Sequence, residues 1–167
     1  FRRLGDFSSD GKKAIYASTE RNGRDFDLYV LEVAGGETRL VYESEFGFFP
    51  EAWQPNGDLV IVSETRGEDA NDVYLLNAET GGMTPLMQPK IAANFSDFQW
   101  RPDGSGFYLA TNLDREFNAV AFYDMASGQL TTLFATDADA DNVQLAGDGD
   151  FLLWTTNRDG YSKLQGV

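Results

Sequence analysis

The sequence predicts an all-β fold assembled from one four-stranded antiparallel unit repeated nearly four times, and three observations predict it. A turn-closing glycine returns at Gly11, Gly57, Gly104 and Gly149, with spacings of 46, 47 and 45 residues. A second series, Gly36, Gly81 and Gly128, follows a strand-like stretch each time and keeps step at 45 and 47 residues. Helical periodicity is weak throughout, whereas β-branched and aromatic residues gather in short runs bounded by turn signals. Two independent markers with one period mean a repeat architecture.

The first strand of each unit is short and ends at an aromatic or leucine just before the turn: Phe7, Trp53, Trp100 and Leu145. The turn is clearest in Gln54-Pro55-Asn56-Gly57 and Arg101-Pro102-Asp103-Gly104. Proline supplies the φ of roughly −65° wanted at its position, Asn or Asp follows, and glycine is expected to take a positive φ. This is a type I turn closing into a bulged hairpin. The second strand then covers 14–18, 59–63, 107–111 and 151–155, with apolar side chains on both faces, as a strand sandwiched between neighbouring sheets requires. The third strand is "DLYVLEV", "DVYLLNA" and "AVAFYDM", each leaving through a glycine turn, and the fourth is "TRLVYES", "MTPLMQP" and "LTTLFAT". Pro85 fits an edge strand, where a missing N–H costs little.

Four antiparallel strands in a period of about 45 residues make a β-propeller blade, with the first strand innermost and the fourth on the rim. The blades are expected at about 2–44, 48–89, 95–136 and 140–167, the last breaking off inside its third strand at "GYSKLQGV". No Pro/Gly/Ser-rich linker divides the chain, so 1–167 reads as one partial propeller with two open ends. Apolar surface at such ends invites a second copy to cover it, and a homodimer through the open ends is the simplest closed form unless further sequence of the parent completes the ring.

Thirteen Lys plus Arg against 27 Asp plus Glu give a net charge of −14, which repels a phosphate backbone and an anionic membrane surface alike. No nucleic-acid or membrane partner is expected. There is no cysteine, hence no disulfide framework and no thiolate chemistry, and no histidine, hence no Ser-His-Asp triad and no imidazole-ligated zinc within this chain. No cofactor is expected. No apolar run reaches the length of a membrane span. The start "FRRLGDFSS" has neither an h-region nor Met, so it reads as the edge of a fragment rather than a signal peptide. The expectation is a soluble, acidic chain whose compartment the residues leave open.

The recurrent "S-x-D-G" or "x-P-D-G" turn, followed by a hydrophobic strand and then "DFDLYVLE" or "NDVYLLNAETG", resembles the PD-type propeller repeat. TolB-like proteins carry it, as do the N-terminal propellers of the prolyl oligopeptidase family of serine peptidases. "ERNGRDFDLYVLEVAGGETRLVYES" and "TNLDREFNAVAFYDMASGQLTTL" are similar to propellers of its acylaminoacyl-peptidase-like and dipeptidyl-aminopeptidase-like members. The resemblance implies a non-catalytic module that gates or assists a hydrolase domain acting on short peptides, that domain being its partner. The alternative it implies is a TolB-like scaffold that binds proteins. The chain departs from the peptidase pattern in lacking a G-x-S-x-G elbow; its nearest string is Gly160-Tyr161-Ser162-Lys163-Leu164. It also lacks the Glu-Glu pair with which dipeptidyl peptidases hold a substrate amine. A polysaccharide lyase on a similar propeller would need metal-binding histidines, and none is present.

Three groups of side chains are candidates for binding. Asp137, Asp139 and Asp141 in "DADADN" offer alternating hard oxygens suited to calcium, but without the Gly and Glu of an EF-hand loop, and a solvated acidic loop between blades is the plainer reading. Asp25, Asp27 and Asp72 stand at the entrance of third strands, where Asp commonly bonds loop N–H groups. Phe46, Phe48 and Phe49, ahead of Pro50, suit either a peptide-binding surface or packing between the first two blades.

Overall fold

The computed structural model describes every residue from Phe1 to Val167, and they form fifteen β-strands and no helix. The strands fall into four antiparallel sheets in strict sequence order. The first sheet contains β1 (Arg2–Phe7), β2 (Lys13–Ser18), β3 (Asp27–Glu32) and β4 (Thr38–Tyr42). The second contains β5 (Phe48–Trp53), β6 (Leu59–Thr65), β7 (Asn71–Asn77) and β8 (Met83–Met87). The third contains β9 (Phe95–Trp100), β10 (Gly106–Thr111), β11 (Ala119–Asp124) and β12 (Gln129–Phe134). The last has three strands, β13 (Ala140–Leu145), β14 (Leu152–Arg158) and β15 (Tyr161–Gly166). Every first strand ends on the aromatic or leucine that the sequence marks. This is an all-β propeller of about four blades, with the last one short of a strand.

Residues Phe1–Gln88 make one compact unit and Pro89–Val167 a second. In the first, β5 lies against the face of β1, β2 and β3. Ile15, Leu28, Val30, Phe48, Trp53 and Val60 form its buried core, with Phe26, Tyr42 and Tyr74 packed at the margin. Gly5 lets β5 approach β1, because a Cβ there would sit 2.5 Å from the Pro50 ring and 2.9 Å from its carbonyl oxygen. In the second unit β13 packs against β9, β10 and β11, and Val120, Val143, Leu152 and Trp154 are buried between the two sheets.

A bulge interrupts the first strand of every sheet, between Leu4 and Phe7, Pro50 and Ala52, opposite Tyr108 to Ala110, and between Asp141 and Gln144. Bulges re-aim a side chain. Asp6 is turned so that its Oδ2 accepts from the Trp53 N–H of the next sheet at 2.8 Å. Asp97, with φ of 55°, does the same in the second unit for the Val143 N–H at 3.2 Å. These two clamps span 47 and 46 residues, close to one period.

The turns follow the expected type in three sheets: Gly11, Gly104 and Gly149 have φ of 68°, 68° and 81°. The second sheet differs, because there the positive φ of 55° falls on Asn56 instead of Gly57. Pro55 followed by a left-handed Asn56 is the pattern of a type II turn, and asparagine is among the few non-glycine residues that tolerate it. The Gln54 side chain lies over Gly57, 2.4 Å from where a Cβ would stand, and Trp53 Nε1 donates to the Gly57 carbonyl at 2.8 Å.

Candidate binding cleft

The β2–β3 loop folds around Asn22. Its Oδ1 accepts from the N–H groups of Arg24 and Asp25 at 3.0 and 2.9 Å, and its Nδ2 donates to Asp25 at 2.7 Å. Asparagine followed by Gly23, with φ of 77°, is suited to this turn because its side chain mimics a backbone acceptor. The β4–β5 connection is tied to the same loop. Phe26 N–H donates to the Phe46 carbonyl at 2.9 Å, making an isolated parallel bridge between Phe26 and Gly47, and Ser44 Oγ donates to the Phe26 carbonyl at 2.8 Å. Thr65 N–H donates to the Gly47 carbonyl at 3.3 Å, which brings the end of β6 to the same place.

Beneath these loops lies Asp27, wholly buried. It accepts from Arg21 Nε and Nη2 at 2.7 and 3.0 Å and from the Ser44 N–H at 2.8 Å. Arg21 continues to the Ser44 carbonyl at 2.9 Å and to Glu43 at 3.0 Å. The hydrogen bond it donates to Asp27 raises the Arg21 pKa further above its already high value. Asp25 is held below the usual carboxylate range, first by the hydrogen bond from Arg24 and then by that from Asn22. A buried charge is tolerated only when paired, so this network fixes both loops in one geometry.

Between the loops opens a cleft of about 470 Å³. Phe26, Phe46 and Phe49 supply its apolar wall, and Arg24, Asp25, Glu45 and Thr65 its polar margin. The Phe26 and Phe49 rings meet at 5.1 Å with a 53° tilt, and the Arg3 guanidinium carbon lies 4.6 Å from the Phe49 centroid. Phe46 is 63% exposed. The neighbouring Glu45 is exposed too and forms no ion pair. The cleft offers an apolar seat for one or two side chains with charge at its edge.

The structure divides the residues singled out by sequence. Phe48 is core, packed on Tyr42 and Tyr74, whereas Phe49 and Phe46 face the cleft, so the three phenylalanines do both jobs. Asp27 takes the expected loop N–H from Ser44, but its stronger partner is Arg21, and Asp72 likewise accepts from Arg66 Nη1 at 2.9 Å. Sequence reasoning missed both arginines. The signal was present, since Arg21–Asp27 and Arg66–Asp72 share a six-residue spacing and stand one period apart.

The acidic stretch is not simply a loop. Asp137, Ala138 and Asp139 lead in through a bend, with Asp137 exposed, Ala138 buried and Asp139 half-buried, and β13 begins at the buried Ala140 and takes in Asp141. Asp137 is paired with Arg158, and Asp139 Oδ1 accepts from the Asn118 N–H at 2.8 Å. Burial raises the Asp141 pKa, and the charges of Asp139 and Asp97 add to the rise against a hydrogen bond from Asn118. No three carboxylates converge on a point where a metal ion would sit. Ser162 lies in β15 after the turn at Asp159 and Gly160, both with positive φ, opposite Asn157 of β14.

No protein-family model matches the chain. An uncharacterized peptidase of Bacillus subtilis, YuxL, is 22% identical over 151 residues, covering 90% of this chain and 21% of that protein. The chain thus spans about a fifth of the length of this curated relative. Prolyl oligopeptidase B from Galerina marginata superposes with a TM-score of 0.79 at 15% identity, over 99% of this chain and 25% of that one. TolB from Acinetobacter baumannii gives 0.77 at 17% identity, over 98% of this chain and 40% of that one. The sheets, the repeated turns and these likenesses together make the chain a partial β-propeller with the fold found in TolB and prolyl oligopeptidase structures.

Proposed function

We propose that the chain is a non-catalytic propeller module, the substrate-gating or accessory part of a serine peptidase of the prolyl oligopeptidase type, handling short peptides cleaved elsewhere. The observation that carries the reading is the cleft: an apolar-walled opening formed by loops at one end of two packed sheets, with no imidazole or thiol in the whole chain to activate a nucleophile. The 22% identity to a peptidase over nine-tenths of the chain supports it. The missing partner in this reading is a hydrolase domain bearing the nucleophile elbow. A TolB-like protein-binding scaffold is the second reading, favoured by the TM-score of 0.77 to TolB. A hydrolase-coding frame joined to this one supports the first, and its absence from the gene supports the second.

Incubation with chromogenic amide and ester substrates tests the non-catalytic part. Hydrolysis at the rate of the blank is expected. Turnover above the blank that disappears in Ser162→Ala would overturn it.

A further inference from the structure

We infer that the Phe26/Phe46/Phe49 cleft selects positively charged peptide segments that carry an aromatic or aliphatic anchor. The inference rests on the peptide-handling reading and adds a chemical class to it. Two observations point to a cation beside an apolar group. Phe49 itself is already engaged, since Arg3, outside the cleft lining, stands 4.6 Å from the centre of its ring in the geometry of a cation–π contact, which leaves Phe46 as the open ring. The outer ring, Phe46, is exposed and not stacked on another ring, so its face is open to a second cation or to an apolar side chain. Beside it Glu45 presents a carboxylate that no arginine or lysine of this chain neutralises.

The other charges nearby are already committed. Arg24 is bound to Asp25 at 2.8 and 3.1 Å, and Glu43 to Arg21 at 3.0 Å. Arg24, although 80% exposed, is thus charge-paired with Asp25, and Arg21 with Asp27 and Glu43, so neither adds an unpaired positive charge at the cleft. The β6–β7 loop, which leaves the cleft at Thr65, carries Glu68 and Asp69, both exposed and outside the cleft lining. With a net charge of −14 over the chain, the long-range field also favours a cationic ligand and speeds its approach. An apolar anchor fills the space between the rings while its flanking Lys or Arg meets Glu45 and the Phe46 face.

Isothermal titration calorimetry with three acetylated, amidated pentapeptides tests this: Phe flanked by lysines, Phe flanked by glutamates, and Gly flanked by lysines. The first is expected to bind at least about tenfold more tightly than either of the others, and more weakly as salt is raised. Phe46→Ala should weaken it about tenfold and Glu45→Gln about threefold, both side chains being exposed and dispensable for folding, with circular dichroism unchanged. Equal affinity for the lysine and glutamate peptides, lost in Phe46→Ala, would overturn the charge preference while leaving the peptide-handling reading intact. Binding unaffected by Phe46→Ala, or no binding of any peptide, would overturn the inference itself. The turnover assay judges the broader reading separately.

Discussion

Asp27 is wholly buried and receives three hydrogen bonds, two from one guanidinium and one from the Ser44 N–H, so its loss strands a buried donor as well as an arginine. Asp27→Ala is expected to cost about 2 kcal/mol, since each unsatisfied buried group costs about 1–3 kcal/mol. Asp72→Ala, at the matching place in the second sheet, should cost less, because Asp72 lies nearer the surface. Urea unfolding at neutral pH measures both, and equal losses would contradict the account. Asp141 behaves in the opposite sense. Burial, with Asp139 and Asp97 nearby, raises its pKa, so the folded protein holds this proton longer than the unfolded chain does. Stability therefore falls as pH rises from about 4 through the native pKa. Asp141→Asn is expected to stabilise the protein at pH 7 and to leave it unchanged at pH 3, where both forms are neutral; thermal melts at the two values decide it.

The repeated turn makes a sharper comparison between elements. Gly11 has φ of 68° and open space around its Cα, so Gly11→Ala isolates backbone strain and should cost about 1 kcal/mol. Gly57 has no positive φ, and a Cβ there meets the end of the flexible Gln54 side chain, so Gly57→Ala should lower the melting temperature less. Parity of the two shifts would contradict the turn assignment. This element also shows where the sequence stops being legible. Strand ends were readable because each is punctuated locally by Pro, Asn or Gly. Pro55-Asn56-Gly57, however, suits a left-handed residue at either of two positions, and the contacts that accompany Asn56, from Trp53 Nε1 to the Gly57 carbonyl and from the Asn56 N–H to Ser9 Oγ, lie outside the local pattern. The clamps of Asp6 and Asp97 were not legible because their partners lie 47 and 46 residues away. The cleft was half legible: three phenylalanines before Pro50 announced an aromatic cluster. Which of them faces outward is set by the bridge between Phe26 and Gly47, a contact between two loops.

Over the molecule, large apolar side chains remain exposed on the first sheet, at Leu4, Phe7 and Leu40, and on the last, at Leu153 and Leu164. We propose that copies of the chain cover these faces, and light scattering is expected to show mass rising with concentration toward a dimer; a constant monomer mass would contradict this. In the proposed function the propeller seats a peptide and leaves its bonds intact. Equilibrium dialysis against the lysine-flanked phenylalanine peptide, followed by mass spectrometry of the peptide recovered from both chambers, measures the two halves of that statement together. The peptide should be enriched on the protein side and recovered at its original mass. Fragments that accumulate only with the protein, and not with its Ser162→Ala variant, would contradict it.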